Sequence, residues 1–208
     1  AHPVAWGEEH LTTADGAQRE IQADAIVIAT GSSWPNLPQF PIDGQQLLTS
    51  QHLLDLERIP ASLLIIGAGV EGCEFAALYS GLGTQVTIVE LMARVLPLED
   101  DDISSTMERE LKKRGVTVLT GTTVERLERS PTTITAHLKD GTQLAAEKLL
   151  VSVGRGLNSR GIGLEQAGVQ TGRRGEILVN ERMETTVPGI YAIGDVVGKV
   201  MLAHVAST

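Results

Sequence analysis

A single cysteine, Cys73, stands in 208 residues, so no disulfide can close within the chain, and this fits a reducing compartment. Basic side chains are scarce: 17 Lys and Arg against 26 Asp and Glu give a formal net charge of −9 at pH 7. A domain that binds nucleic acid by neutralising phosphates carries a basic face, so the balance argues against that class. Long apolar runs are missing too. The longest, Leu63–Val70, is broken by glycines and falls far short of the roughly 20 residues a membrane-spanning helix needs, so no membrane partner is expected. No basic-then-apolar leader opens the sequence, which starts at Ala1, and the cytoplasm is the expected location. What remains, 42% hydrophobic and 21% charged residues, is an ordinary globular composition.

Six aliphatic runs read as buried parallel strands: Ala25–Ala29, Leu63–Ile66, Val86–Val89, Val116–Leu119, Leu149–Val153 and Ile190–Ile193. A helix over Val70–Leu82 follows a glycine turn, stops at Gly83, and places Cys73, Phe75, Ala77, Leu78 and Leu82 on adjoining faces. A second begins at Asp100, Asp101 and Asp102, where carboxylates meet the positive end of the helix dipole. It carries Ile103, Met107 and Leu111 along one side and ends at Lys112, Lys113, Arg114 and Gly115. Residues 63–119 therefore form two successive right-handed βαβ units. Period-two segments Thr133–Leu138 and Thr142–Glu147 then meet at Asp140–Gly141, which predicts a type I′ hairpin.

A hairpin followed by an apolar strand and a glycine also occurs near the start, where Asp15–Gly16 precedes Ala25–Ala29 and Gly31. The chain reads as the tail of one unit followed by a complete second unit, and hence as an internal piece of a longer protein. Its first strand and Ile190–Ile193 should then lack cover, leaving an apolar face that either self-associates or makes these end segments the least protected part of the chain. The proline-rich run Leu37–Pro41 is either a flap over that face or an exposed linker.

Chemistry concentrates at Gly67–Ala68–Gly69–Val70–Glu71–Gly72, a G-x-G-x-x-G between a strand and a helix. Gly67 permits the tight turn, Gly69 lets the backbone approach a pyrophosphate, and Gly72 lets the helix pack against the strand. Glu90 ends the next strand, 18 residues beyond Gly72. A carboxylate there accepts ribose hydroxyls and repels a 2′-phosphate, which favours NAD over NADP. Glu71 adds a charge inside the turn, and its direction, to solvent or inward, is open. Cys73 reads as a buried inert thiol. The five histidines form no ligand spacing, so no metal site is expected, and no nucleophile motif occurs.

Four ordered segments resemble the flavin-dependent pyridine nucleotide–disulfide oxidoreductases: Ile26–Ser32, Gly67–Glu74, Val151–Arg155 and Ile190–Val196. The closing Met201–His204 is similar to the dihydrolipoamide dehydrogenase branch. The resemblance implies an α/β fold: a Rossmann-like NAD-binding domain of ββα-type three-layer architecture with an antiparallel meander, at 57–156. It is set into an incomplete FAD-binding domain made of 1–56 and 157–208. It also implies that Thr30, Gly31, Asp195 and Ala203 belong to the FAD side, with Asp195 on a flavin ribityl hydroxyl. Val124 and Gly154 would line the adenine and nicotinamide ends of the NAD site. In such enzymes electrons pass from dihydrolipoamide through a disulfide and FAD to NAD, in homodimers that serve the lipoyl domain of a 2-oxoacid dehydrogenase complex. The family's redox cysteine pair and FAD pyrophosphate turn would precede Ala1 and its histidine–glutamate pair would follow Thr208. No catalytic residue is therefore assigned, and the chain alone is expected to bind NAD, not FAD, and not to turn over. Gly156–Leu157–Asn158 stands where the family carries a proline. NADH oxidase, mercuric reductase and glutathione-type reductase are alternatives within the family. A non-catalytic NAD-binding module is the alternative outside it.

Overall fold

The computed structural model describes residues 11–12, 18–19 and 23–207; the Asp15–Gly16 hairpin lies outside them. In chain order the first strands are β1 (Leu11–Thr12), β2 (Gln18–Arg19), β3 (Ile26–Ile28), β4 (Ser32–Ser33) and β5 (Leu47–Leu48), followed by α1 (Ser50–Leu54). Next come β6 (Ser62–Ile66), α2 (Val70–Gly81), β7 (Gln85–Val89), α3 (Asp101–Lys113) and β8 (Thr117–Leu119). The meander β9 (Val124–Arg129), β10 (Ile134–Leu138) and β11 (Gln143–Ala146) leads into β12 (Lys148–Val151). The last elements are β13 (Gly156–Leu157), β14 (Ile190–Ala192), a 3₁₀ turn at Gly194–Val197 and α4 (Ala203–Ala206). No helix among the described residues is long and apolar enough to cross a membrane.

The chain divides into two compact units, residues 34–154 and the combination of 1–33 with 155–208. The central unit thus takes in 34–56, which the sequence reading grouped with the first segment. The physical reason is β5: Leu47 and Leu48 pair in parallel with Leu149 and Leu150 and are fully buried.

In the central unit a five-stranded parallel sheet has the order β5-β12-β6-β7-β8. Alternation along each strand sorts side chains to two faces. Leu63, Ile65, Ile88 and Leu150 pack with Cys73, Phe75, Ala76, Tyr79 and Leu111 of the helices. Leu64, Ile66, Val89, Leu149 and Val151 pack with Val124, Ile134, Ala136, Leu138 and Ala146 of the antiparallel sheet β11-β10-β9. The result is three layers, helix, parallel sheet and meander, with two cores. Phe40 is buried in the second of these, with Leu37 against it, so the proline-rich run is not an exposed linker.

Three local expectations are corrected, and one strand was not foreseen. Leu78 and Leu82 are half exposed, because the stripe facing the sheet is Gly72, Cys73, Phe75, Ala76 and Tyr79, fixed by the close approach of Gly72. Ile103 is also exposed; on α3 the buried places go to Leu111 and Ser104, whose hydroxyl donates to the Val95 carbonyl at 2.6 Å. The hairpin is not type I′, which needs positive φ at both central residues. Only Gly141 has it (φ 86°), the Gly141 amide bonds Leu138 O and the Leu138 amide bonds Thr142 O, giving a type I turn closed by a glycine bulge. Finally, β9 escaped the period-two signal because its register shifts opposite His137 and Leu138. Val124 and Leu127, three residues apart, thereby reach the same core.

In the split unit β3 and β14 form a two-stranded parallel sheet, and β4 pairs antiparallel with β13. Its core gathers Leu164, Val169, Ile177, Ile190, Ala192, Val196 and Val197, with Ile26 and Ile28 partly covered. Of the two expectations for Ala25–Ala29, a buried strand and a strand without cover, Val27 follows the second, at 57% exposed.

Candidate dinucleotide site

The chain enters the site on β6 and turns at Gly67, whose φ of 103° and whose closeness to β12 both demand glycine: a Cβ there would lie 2.1 Å from the Ser152 carbonyl oxygen. A Cβ on Gly72 would lie 2.0 Å from the Gly67 carbonyl oxygen, so α2 rests directly on the turn. Nothing lies within 4 Å of a Cβ built on Gly69. Gly67 and Gly72 thus serve as the tight turn and the helix contact, and Gly69 leaves its side of the turn open. The helix ladder begins with the Cys73 amide on the Gly69 carbonyl (3.0 Å), so the amides of Val70, Glu71 and Gly72 precede it without an intrahelical acceptor.

Two carboxylates hold this turn. Glu90, 7% exposed at the end of β7, accepts the Ala68 amide at 2.6 Å on one oxygen and the Met92 amide at 2.8 Å on the other. It is no solvated strand end; it fastens the middle of the turn to the neighbouring strand, with one lone pair left on each oxygen. Glu71 turns to the other side, where its carboxylate accepts the Ser152 hydroxyl at 2.9 Å. That answers the orientation left open by the sequence. Cys73 is buried at 1%, its thiol directed to the Ala68 carbonyl, and burial first, then the Glu90 charge, push its pKa up to about 11. Such a thiol is a packing group, not a nucleophile.

The turn opens onto a mostly apolar cleft of about 460 Å³ at the carboxyl ends of the parallel strands, where the sheet order reverses about β6. Of the residues singled out in the sequence, Gly67, Gly69, Glu90 and Gly154 line it. Val124 does not: it is buried in the second core, and the wall beside it is formed by Thr122 and Thr123. Leu37, Phe40, Met92 and Ser152 also line the cleft and were missed. Leu37 and Phe40 lie in the proline-rich run and Ser152 in the Val151–Arg155 segment, and none of these was given a place in the site.

The residues expected on the FAD side belong to the split unit. Thr30 donates its hydroxyl to the Asn158 carbonyl (2.7 Å) and accepts the Asn158 side-chain amide on its own carbonyl (2.9 Å), while the Gly31 carbonyl takes the Asn158 backbone amide (3.1 Å). Ser32 donates to the Asp195 carboxylate and accepts from Arg155 Nε at 2.6 Å. Thr30, Gly31 and Asp195 are thus gathered around two polar residues, Ser32 and Asn158, to which the sequence reading assigned no role of their own. Ala203 is exposed at the start of α4.

A glycine turn with free amides, an open approach at Gly69 and a buried acid at the next strand end make up, in an α/β protein, a site whose residues fit a pyridine dinucleotide. Comparison carries the assignment further. Residues 3–208 match the model of the pyridine nucleotide-disulphide oxidoreductase family, and the chain belongs to that family. It is 44% identical over 188 residues to a dihydrolipoyl dehydrogenase of Bacillus subtilis, covering 89% of this chain and 40% of that one. It is 36% identical over 196 residues to an NAD(P)H dehydrogenase (quinone) of Mycobacterium tuberculosis, covering 94% and 40%. Among solved structures it resembles LpdA from Mycobacterium tuberculosis with a TM-score of 0.87 and 36% identity, over 95% of this chain and 43% of that one. The chain spans about 40% of the length of the curated relatives it matches.

Proposed function

We propose that the central unit binds NAD(H) and serves a flavin-dependent oxidoreductase that moves electrons from dihydrolipoamide through FAD to NAD. The observation that carries this reading is the glycine turn clamped to a buried Glu90 at the mouth of the cleft. The amides of Val70, Glu71 and Gly72 take the pyrophosphate at the positive end of α2. The free lone pairs of Glu90 accept the adenosine ribose hydroxyls, and its charge repels a 2′-phosphate. Thr122 and Thr123 border the adenine side, and Ser152 and Gly154 the nicotinamide side. When bound, the nicotinamide supplies a ring that accepts a two-electron hydride; the chain's part is to hold it and to exclude water with the apolar wall of Leu37, Phe40 and Met92.

The flavin is a different case. Among the described residues the helices long enough to cradle a second pyrophosphate are α2 and α3, both in the central unit, and α3 opens on Asp100, Asp101 and Asp102, which repel phosphate. We assign no flavin step to these residues. With Cys73 the one cysteine in the sequence, and buried, the 208 residues also hold no disulfide that could oxidise dihydrolipoamide. Homodimers acting on a lipoyl domain in the cytoplasm complete the proposal for the whole enzyme. A second reading, in which the electron partner is a quinone, is favoured by the 36% identity to the quinone-named relative.

Isothermal titration of the purified chain tests the nucleotide assignment. NAD binds in a 1:1 ratio and NADP at least tenfold more weakly. No binding of either, or equal affinity for both, contradicts it.

A further inference from the structure

The two carboxylates of the turn lie on opposite sides of β6, and only Glu90 has a part in the reading above. Glu71 faces β12. In a sheet whose order reverses about β6, the β7 side receives one nucleotide half and the β12 side the other. With Glu90 on the adenosine side, the Glu71–Ser152 pair marks the nicotinamide side.

Glu71 is half-buried and is not itself part of the cleft wall; Ser152, 6% exposed, is. Ser152 is held by its backbone, its amide donating to Ile66 O at 2.8 Å and its carbonyl oxygen resting against Gly67. Because the Ser152 hydroxyl proton is committed to Glu71, Ser152 Oγ offers lone pairs and no proton to whatever occupies the cleft. Behind it stands a full negative charge, screened from water on one side. This spot is electron-rich and suits a cation or a hydrogen-bond donor.

Resting on the NAD reading, we propose that the Glu71–Ser152 pair discriminates the oxidation state of the nucleotide, favouring the cationic oxidised nicotinamide over the neutral reduced ring. The pyrophosphate is common to both forms, so whatever repulsion Glu71 exerts on it cancels in the ratio of the two affinities. Only the ring charge differs. The consequence for a reaction that reduces NAD is that the product is the weaker ligand and leaves more readily.

Glu71→Gln separates charge from structure, since its amide oxygen still accepts the Ser152 hydroxyl. The intact chain and this variant are titrated with NAD and with NADH by calorimetry. The ratio of the NADH to the NAD dissociation constant falls by about three- to tenfold in Glu71→Gln, the range expected for one nearby, partly screened charge. Glu71→Ala, which also releases Ser152, weakens both forms in addition to the same change of ratio. An unchanged ratio in both variants overturns the proposal and leaves the NAD reading standing. A chain that binds neither nucleotide overturns that reading and the proposal together.

Discussion

Two of the apolar strands that run into a glycine turn, β3 into Gly31 and β6 into Gly67, have different fates. Gly67 is wedged between β12 and α2, while a Cβ on Gly31 meets nothing within 4 Å. Beyond Gly67 runs a 12-residue helix with free leading amides; beyond Gly31 comes the two-residue strand β4, and the polar groups there satisfy one another through Ser32, Asn158, Arg155 and Asp195. On the proposed reading, a glycine after a strand makes a dinucleotide site where a helix start and an acid from the next strand converge on it.

The sharpest way to break the comparison is to put the same methyl group at both turns. Gly67→Ala collides with the backbone of Ser152 and adds strain at positive φ, so it destabilises the central unit by about 3 kcal/mol or more in urea unfolding. Gly31→Ala, strained at φ 68° but unobstructed, costs only about 1 kcal/mol. Equal losses at the two positions contradict the packing argument.

Glu90→Ala comes next. It strands the Ala68 and Met92 amides and removes the ribose acceptor, lowering NAD affinity by about 1–3 kcal/mol while easing binding of NADP. Asp195→Asn, in the split unit, leaves both titrations where they were. A matching loss from Asp195→Asn would show that the two turns do not act separately.

The smallest effect lies at the opposite end of the parallel sheet. The Ala61 amide and, after it, Arg58 hold the Glu147 carboxyl below its ordinary value. A group so lowered stabilises the fold fully above the ordinary glutamate range, and the contribution fades as pH falls through the lowered folded value. Glu147→Gln therefore reduces stability by about 0.5–1.5 kcal/mol at pH 7, and the difference from the parent chain shrinks toward pH 3 in thermal melts. NAD affinity at pH 7 is unaffected.

Much of this was legible in the sequence where a residue type has one physical use. The spacing of Gly67, Gly69 and Gly72 announced a turn, an approach and a helix contact, and the aliphatic runs announced the parallel sheet. The direction of Glu71 was not legible, because it depends on Ser152, 81 residues away. Nor were Thr122 and Thr123 preferred over Val124, since a bulge in β9 decides which of these residues faces the core. The exposure of Val27 was legible not from the composition of β3, which is that of a buried strand, but from the expectation that this strand lacks cover.

Hydrogen exchange of the intact chain with and without NAD tests the central claim most directly. NAD slows exchange at the amides of residues 68–72, 90–92 and 152–154 and leaves residues 30–33 and 194–197 as they were. Protection confined to the Gly31 turn and Asp195, with the Gly67 turn unchanged, would contradict it.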